Sequence, residues 1–254
     1  MEIITLDQDN LATEHVCCAI ANDNDIQVAA KKEWLAARFA QGLRFKKCAV
    51  RGKCFIEYIP AEQAWAPIDA PGYMYIDCLW VAGQFKGQGY GRQLLEECLA
   101  DSRAQGKRGL LALSAKKKQA FLADPKFLSY FGFQPVDEAA PFYQLFCLPL
   151  EEKALVQAPP RFRPQARRPH IEAKGLVLYY SHQCPFTAKY VPIVAQLARE
   201  RGVELRTVLF ETTDQAQAAP APFTSYSLFY NGELITHEIL SDKKFVKLLD
   251  QLGL

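Results

Sequence analysis

The sequence predicts a mixed α/β protein, α+β in arrangement, built as two unequal domains. Three observations carry that expectation. Extended apolar runs rich in aromatic and β-branched residues recur at both ends of the chain. A glycine-rich turn, Lys86-Gly87-Gln88-Gly89-Tyr90-Gly91, joins one such run directly to a helical pattern. Between the two halves, residues 151–174 hold four prolines and four arginines, a composition that opposes both helix and sheet and reads as a linker. The division is therefore 1–150, a linker over 151–174, and 175–254. The 254 residues suit two modest domains, since single domains run to about 100–200 residues.

The elements of the first part follow in order. Ile3-Ile4-Thr5-Leu6 reads as a strand, and Asn10 opens a helical stretch from about Leu11. A second helical stretch spans residues 27–41 and stops at Gly42, which suits the left-handed residue after a helix. Residues 45–51 and 53–59 are extended runs about Gly52 and suggest a tight hairpin. Residues 73–81 form a third run, the glycine turn follows, and residues 92–105 are helical. Residues 110–114 read as a buried strand, 117–130 as helical around Pro125, and 143–149 as a closing strand. In the last 80 residues, Leu176-Val177-Leu178-Tyr179-Tyr180 is a strand and a helix runs on to Arg201. A strand over 203–210 follows, then a hairpin about Asn231-Gly232 and a helix over 242–252.

Composition excludes several classes of function. A net charge of +2 is too small for a nucleic-acid binder. No run of about 18 apolar residues suggests a membrane span. The first seven residues lack a signal-peptide pattern, so a cytoplasmic location is expected. None of the eight cysteines forms a C-x-x-C pair, which speaks against zinc or any other structural metal and for reduced, buried thiols. The oligomeric state is left open.

The glycine turn carries the chemistry. Glycines let backbone amides approach an anion, and the helix that follows turns its positive end toward phosphate oxygens. Arg92 adds a cation. The spacing resembles motif A of the GNAT acetyltransferase superfamily. There a glutamine or arginine, here Lys86, precedes two glycines, here Gly89 and Gly91. The resemblance implies acetyl-CoA as cosubstrate. Its pyrophosphate would rest on Lys86, Gly87, Gln88, Gly89, Tyr90, Gly91 and Arg92, and its pantetheine arm would pair with the backbone of Leu79 and Val81. Residues 126–133, Lys-Phe-Leu-Ser-Tyr-Phe-Gly-Phe, resemble the family's segment near the CoA thiol. Leu128 stands there where many members place a tyrosine that protonates the departing thiolate.

Acetyl transfer to an amine also needs a proton acceptor. Asp77, set by alternation on the same strand face as Tyr75, Leu79 and Val81, and Glu57 on the preceding strand are the candidates. The aromatic loop over 57–67 suits the wall of a pocket for a small-molecule or peptide amine. The βαβ-ββα order of the last 80 residues resembles the thioredoxin fold, with Cys184-Pro185-Phe186-Thr187 at its C-x-x-C position. Cys184 is expected to be acidified by the helix N-terminus, whereas Thr187 replaces the resolving cysteine. The whole arrangement resembles YoaP-like GNAT proteins. A thiol-redox or peptide-binding protein that binds CoA without efficient catalysis is the alternative.

Overall fold

The computed structural model describes residues 2–16, 18, 22 and 24–254; Cys17 lies outside them. The first domain consists of β1 (Ile3–Leu6), α1 (Ile26–Phe39), β2 (Arg44–Cys48), β3 (Cys54–Pro60), β4 (Ile68–Asp69), β5 (Met74–Val81), α2 (Tyr90–Ala104), β6 (Gly109–Ala115), α3 (Pro125–Tyr130), β7 (Gln134–Ala139) and β8 (Tyr143–Pro149). Its sheet runs β1-β2-β3-β5-β6-β8-β7. Neighbours are antiparallel except β5 and β6, which run parallel with the α2 crossover between them.

The sheet separates two apolar layers. Phe45, Phe55, Ile59, Tyr75, Leu111 and Leu145 face α1. Ile56, Met74, Ile76, Ala112 and Phe146 face α2 and α3. Period-two alternation sends successive residues to opposite layers, so both faces are buried and each strand reads as nearly continuously apolar. Helix α1 starts where the Asp25 side chain accepts the Gln27 amide at 2.8 Å, an N-cap of the usual kind.

Some local readings fail for identifiable reasons. The helix expected from Leu11 is a set of turns instead. Asp7 and Asn10 side chains accept the amides of residues 7, 9 and 10, which offers the backbone an alternative to the helical ladder. The helix expected over 117–130 begins only at Pro125, its first residue, behind the Asp124 cap. Proline suits that position and disfavours helix before it. The β2–β3 connection spans five residues rather than a tight turn about Gly52, and Cys48 and Cys54 are joined across it as a disulfide (Cα–Cα 5.6 Å). These two are therefore not the reduced thiols expected.

Residues 151–174 are also ordered. They form α4 (Ala154–Gln157), β9 (Arg161–Phe162) and α5 (Pro164–Arg167), with β9 paired to β4. The prolines do not prevent this, because Pro164 sits at the first turn of α5, where its missing N–H costs nothing. Phe162, Ala154 and Ala166 are buried, and Arg161, Arg163 and Arg167 are bound by Asp69, Gln217 and Asp137. The segment is a strap across both domains rather than a free linker.

The second domain contains β10 (Leu176–Tyr180), α6 (Phe186–Glu200), β11 (Leu205–Leu209), α7 (Thr213–Gln217), β12 (Tyr226–Tyr230), β13 (Glu233–Thr236) and α8 (Asp242–Leu252). Its sheet runs β11-β10-β12-β13, with β10 and β11 parallel and the other pairs antiparallel. Phe210, Ala216 and Ala219 enter the α1-side core of the first domain. Gln217 donates to the carbonyls of Glu62 and Ala64, Thr224 to that of Trp65, and His237 Nε2 lies 2.9 Å from the Ala120 carbonyl. The second sheet keeps a core of its own, built on Leu178, Val194, Leu228 and Phe245, while the aromatic loop over 57–67 is packed under the second domain. Among the described residues, no helix is long and apolar enough to cross a membrane.

Candidate active site

The site begins at a fault in β5. Glu57 pairs with Cys78 and Tyr58 with Ile76, so Asp77 is an extra residue bulged out of the ladder. A bulge bends its strand. On the other edge, parallel pairing with β6 covers only Met74, Tyr75 and Ile76, although β5 runs on to Val81 and β6 to Ala115. The strands part in a V. Backbone groups of residues 77–81 on that edge have no ladder partner among the described residues, and a chain-like ligand can pair with such an edge by strand-type hydrogen bonds.

The bulge also corrects the expected facing. Asp77 and Cys78 both lie on the α1 side, near Glu57, Lys31 and Trp80. Leu79 and Val81 pack on the opposite side with α2 and α3. Simple alternation put all of Tyr75, Asp77, Leu79 and Val81 on one face; the extra residue reverses the parity after 77.

At the far end of β5 the chain turns through Gly87 (φ +77°) and Gly89 (φ +79°) into α2. Only glycine adopts these angles without strain. A Cβ on either would meet nothing within 4 Å, so the space above the loop is open. The Lys86 amide is bonded to Gly83 and that of Gln93 to Gly89, whereas the amides of residues 87–92 have no acceptor among the described residues. This is a concave row of donors at the positive end of a helix, the physical requirement for a pyrophosphate. The loop residues therefore fit the group that the sequence implied. Arg92 is exposed; it donates to the Tyr130 hydroxyl at 3.2 Å and lies over the Phe131 ring. Gly91 is packed tightly against Phe127, which seats α3 beside the loop.

The two carboxyl candidates differ sharply. Glu57 is buried, with Oε2 accepting from Lys31 Nζ at 2.6 Å and Oε1 from Trp34 Nε1 at 3.0 Å. Both oxygens are thus engaged by buried partners. Asp77 has an enclosed Oδ1 with no hydrogen-bond partner. Burial, then the charge of Glu57, hold its carboxyl well above the usual carboxylate range, against the pull of Lys31, Arg38 and the Gln183 amide. A carboxyl so placed beside the V suits proton transfer.

Sequence reasoning missed the residues that build this pocket from α1. Lys31 and Arg38 fall in the apolar stripe with Val28, Trp34 and Leu35; charged residues on a helix's buried face were the available signal. Burial lowers the Arg38 guanidinium to about 10. Its Nη2 donates to the Gln63 carbonyl at 2.7 Å and it lies over the Trp34 and Trp65 rings, while its Nε has no partner.

Cys184 sits just before α6, as expected, but its thiol is not acidified. Burial pushes it up to about 11, outweighing the Phe186 amide and the Lys31 charge. Thr187, in the place of a resolving cysteine, donates its hydroxyl to the Ser181 and Cys184 carbonyls, each at 2.7 Å, and fixes the loop. Leu128 is buried in the α2-side core. Tyr130 is exposed beside Arg92 at the glycine loop. Tyr130→Phe is accordingly expected to keep turnover within about tenfold of the parent, since loss of a true general acid costs about a hundredfold or more. Steady-state kinetics with any acetylatable amine checks this, and a thousandfold loss with intact folding would place the acid at Tyr130.

Comparisons with known proteins give the family. The acetyltransferase (GNAT) family model matches residues 9–123, and the YoaP-like model matches residues 205–247. The uncharacterized N-acetyltransferase YoaP of Bacillus subtilis (strain 168) is 40% identical over 251 residues, covering 98% of this chain and 99% of that relative. Among solved structures, the Escherichia coli GNAT family N-acetyltransferase YhbS in complex with CoA is 15% identical, covering 64% of this chain and 89% of its own (TM-score 0.42). A Brucella melitensis GNAT family acetyltransferase in complex with acetyl-CoA is 19% identical, covering 59% and 88% (TM-score 0.36). Likeness to the full-length relative, over both domains and the strap between them, makes this chain a YoaP-like member of the GNAT family of N-acetyltransferases.

Proposed function

We propose that the chain moves the acetyl group of acetyl-CoA to the amine of a small molecule or peptide, at the V between β5 and β6. One observation supports this most: an open strand edge leads straight into an unsatisfied row of amides at the N-terminus of α2. Residues 86–92 would hold the pyrophosphate and the backbone of Leu79 and Val81 the pantetheine arm. Bound there, acetyl-CoA supplies an activated acyl carbon. Asp77 takes the proton that the acceptor nitrogen must lose, either directly or through water. Because that role needs the ionised form, turnover should rise as pH passes upward through the raised Asp77 pKa.

We read the second domain as thioredoxin-like in topology, which its strand order β11-β10-β12-β13 supports. A dithiol redox role has little support, given Thr187 and a Cys184 thiol near 11. Its contribution is instead to wall the acceptor side, through the Gln183 contacts and the buried loop over 57–67. Calorimetric titration of acetyl-CoA should show saturable binding of one molecule per chain within about 1 μM to 1 mM, the usual range of substrate constants. A panel of primary amines should then release free CoA thiol. Absence of saturable binding by the folded protein would overturn this reading.

A further inference from the structure

The second domain sets the loop that carries Cys184 against the α1 side of the first domain. Lys31 Nζ donates to Glu57 Oε2 at 2.6 Å and to the Gln183 carbonyl at 2.8 Å. The residue before Cys184 is thereby pinned to the strand face that carries Glu57. The Gln183 side-chain amide reaches the Asp77 carboxyl. Thr187 ties the Cys184 carbonyl from the other side. Lys31 and Glu57 act electrostatically on Cys184, and Cys184 on Cys78, the neighbour of Asp77 on β5. The loop backbone on either side of the thiol is thus anchored at three points. Two polar groups of the surrounding pocket, Asp77 Oδ1 and Nε of the buried Arg38, are enclosed without a partner, and Asp77 is reached by the amide of Gln183, the residue before Cys184. Buried orphans of this kind call for an explanation, and a group that arrives during turnover is one.

This inference rests on the acetyl-CoA reading above. We propose that Cys184 is a nucleophile: it accepts the acetyl group as a thioester and hands it to the amine, with Asp77 shuttling the proton. In the first half, a bond forms between Cys184 Sγ and the acetyl carbon, and the bond from that carbon to the CoA sulfur breaks. The Cys184 proton passes to the Asp77 carboxylate and on to the CoA thiolate. In the second half, the acceptor nitrogen attacks the same carbon, Cys184 leaves as thiolate, and the nitrogen's proton returns to it through Asp77. No oxidant or reductant is required. One thioester replaces another in the first half, so the acetylated protein should accumulate when no amine is present. The scheme also accounts for Leu128. A proton already drawn from Cys184 is available to the CoA sulfur, so no tyrosine is needed there. A thiol held near 11 is mostly un-ionised at neutral pH, and only a base beside it makes it a useful nucleophile.

The test uses the full chain and acetyl-CoA alone. The folded protein at pH 8 should gain one acetyl group, seen by intact mass spectrometry, mapped to Cys184 and removed by hydroxylamine, which cleaves thioesters but not amides. Cys184→Ser should lack that adduct. Asp77→Asn should form it about a hundredfold more slowly. Both should still bind acetyl-CoA by calorimetry, which shows that they are folded. Urea-unfolded protein should show no preference for Cys184. If the parent binds acetyl-CoA but carries no hydroxylamine-labile acetyl on Cys184, the relay is wrong and direct transfer stands. Labelling of Cys78 or Lys31 instead would also overturn it. Failure to bind acetyl-CoA at all would overturn the relay and the proposed function together.

Discussion

Glu57→Ala is expected to lower the melting temperature by roughly 6–20 °C, the shift that corresponds to about 3–5 kcal/mol in a chain of this size. The cause is what the truncation leaves behind. Lys31 reaches from α1 to β3 and the second domain, and its side chain is 1% exposed. Burial disfavours its charge, but Glu57, together with Cys18 and Cys78, outweighs this and the ammonium stays charged, with its pKa raised. Removing Glu57 strands a buried cation, and Trp34 Nε1 loses its acceptor as well. The damage should spread to domain docking, because the same ammonium holds the Gln183 carbonyl. Lys31→Met combined with Glu57→Gln removes the charge and keeps the shape, so the double variant should recover most of the loss. By contrast the pairs Arg161–Asp69 and His170–Glu233 are open to solvent, and their removal should be nearly silent. The sign with pH follows from the raised pKa. Stabilisation from Lys31 is complete below its unfolded value of 10.5 and fades as pH climbs through the raised folded value. A Glu57→Ala melting temperature within a degree or two of the parent would show that the pair does not hold the domains together.

What the sequence revealed and what it hid divide along the range of the interactions involved. The glycine loop was legible because its chemistry is local: three alternate glycines, a preceding strand and a following helix are written in consecutive residues. The Asn231-Gly232 turn was legible for the same reason, since both residues adopt positive φ (49° and 92°). Helix α8 has the bounds its pattern suggested. The bulge at Asp77 was hidden, because it depends on how β3 and β5 register. Without it, Asp77 and Leu79 seemed to share a face. The fate of the proline segment was hidden too, for it depends on the tertiary burial of Phe162 and Ala166 and on the pairing of β9 with β4. Strand β7 escaped notice because Gln134-Pro135-Val136-Asp137-Glu138-Ala139 is polar and lies at the sheet edge. Cys184 was placed correctly, but its acidity was misjudged. The helix N-terminus was visible in the sequence; the burial that outweighs it is a tertiary effect.

Gly89→Glu should weaken acetyl-CoA binding by more than about a hundredfold. Gly89 is the N-cap of α2 and holds φ at +79°, where an L side chain costs about 1–2 kcal/mol. That cost falls on the fold, and it is tolerable because a Cβ there meets nothing within 4 Å. The loss of binding has a separate origin. The glutamate would stand in the space the phosphate oxygens need and would set a negative charge against them. Charge-assisted hydrogen bonds are worth about 1.5–3 kcal/mol each. Forfeiting two costs at least about 3 kcal/mol, and each 1.4 kcal/mol is a factor of about ten in affinity. Gly106 provides the control. It has φ of +61° just past the other end of α2, and a Cβ there would likewise meet nothing within 4 Å. Gly106→Glu therefore bears a comparable backbone strain far from the loop, and should bind acetyl-CoA like the parent. Gly89→Ala, with the strain but little bulk and no charge, should fall between them. Calorimetry on the four proteins, each checked for folding by circular dichroism, separates the cases. If Gly89→Glu binds as the parent does, the amides of residues 87–92 do not hold the pyrophosphate. If Gly106→Glu loses binding to the same degree, strain in α2 rather than the anion site is responsible.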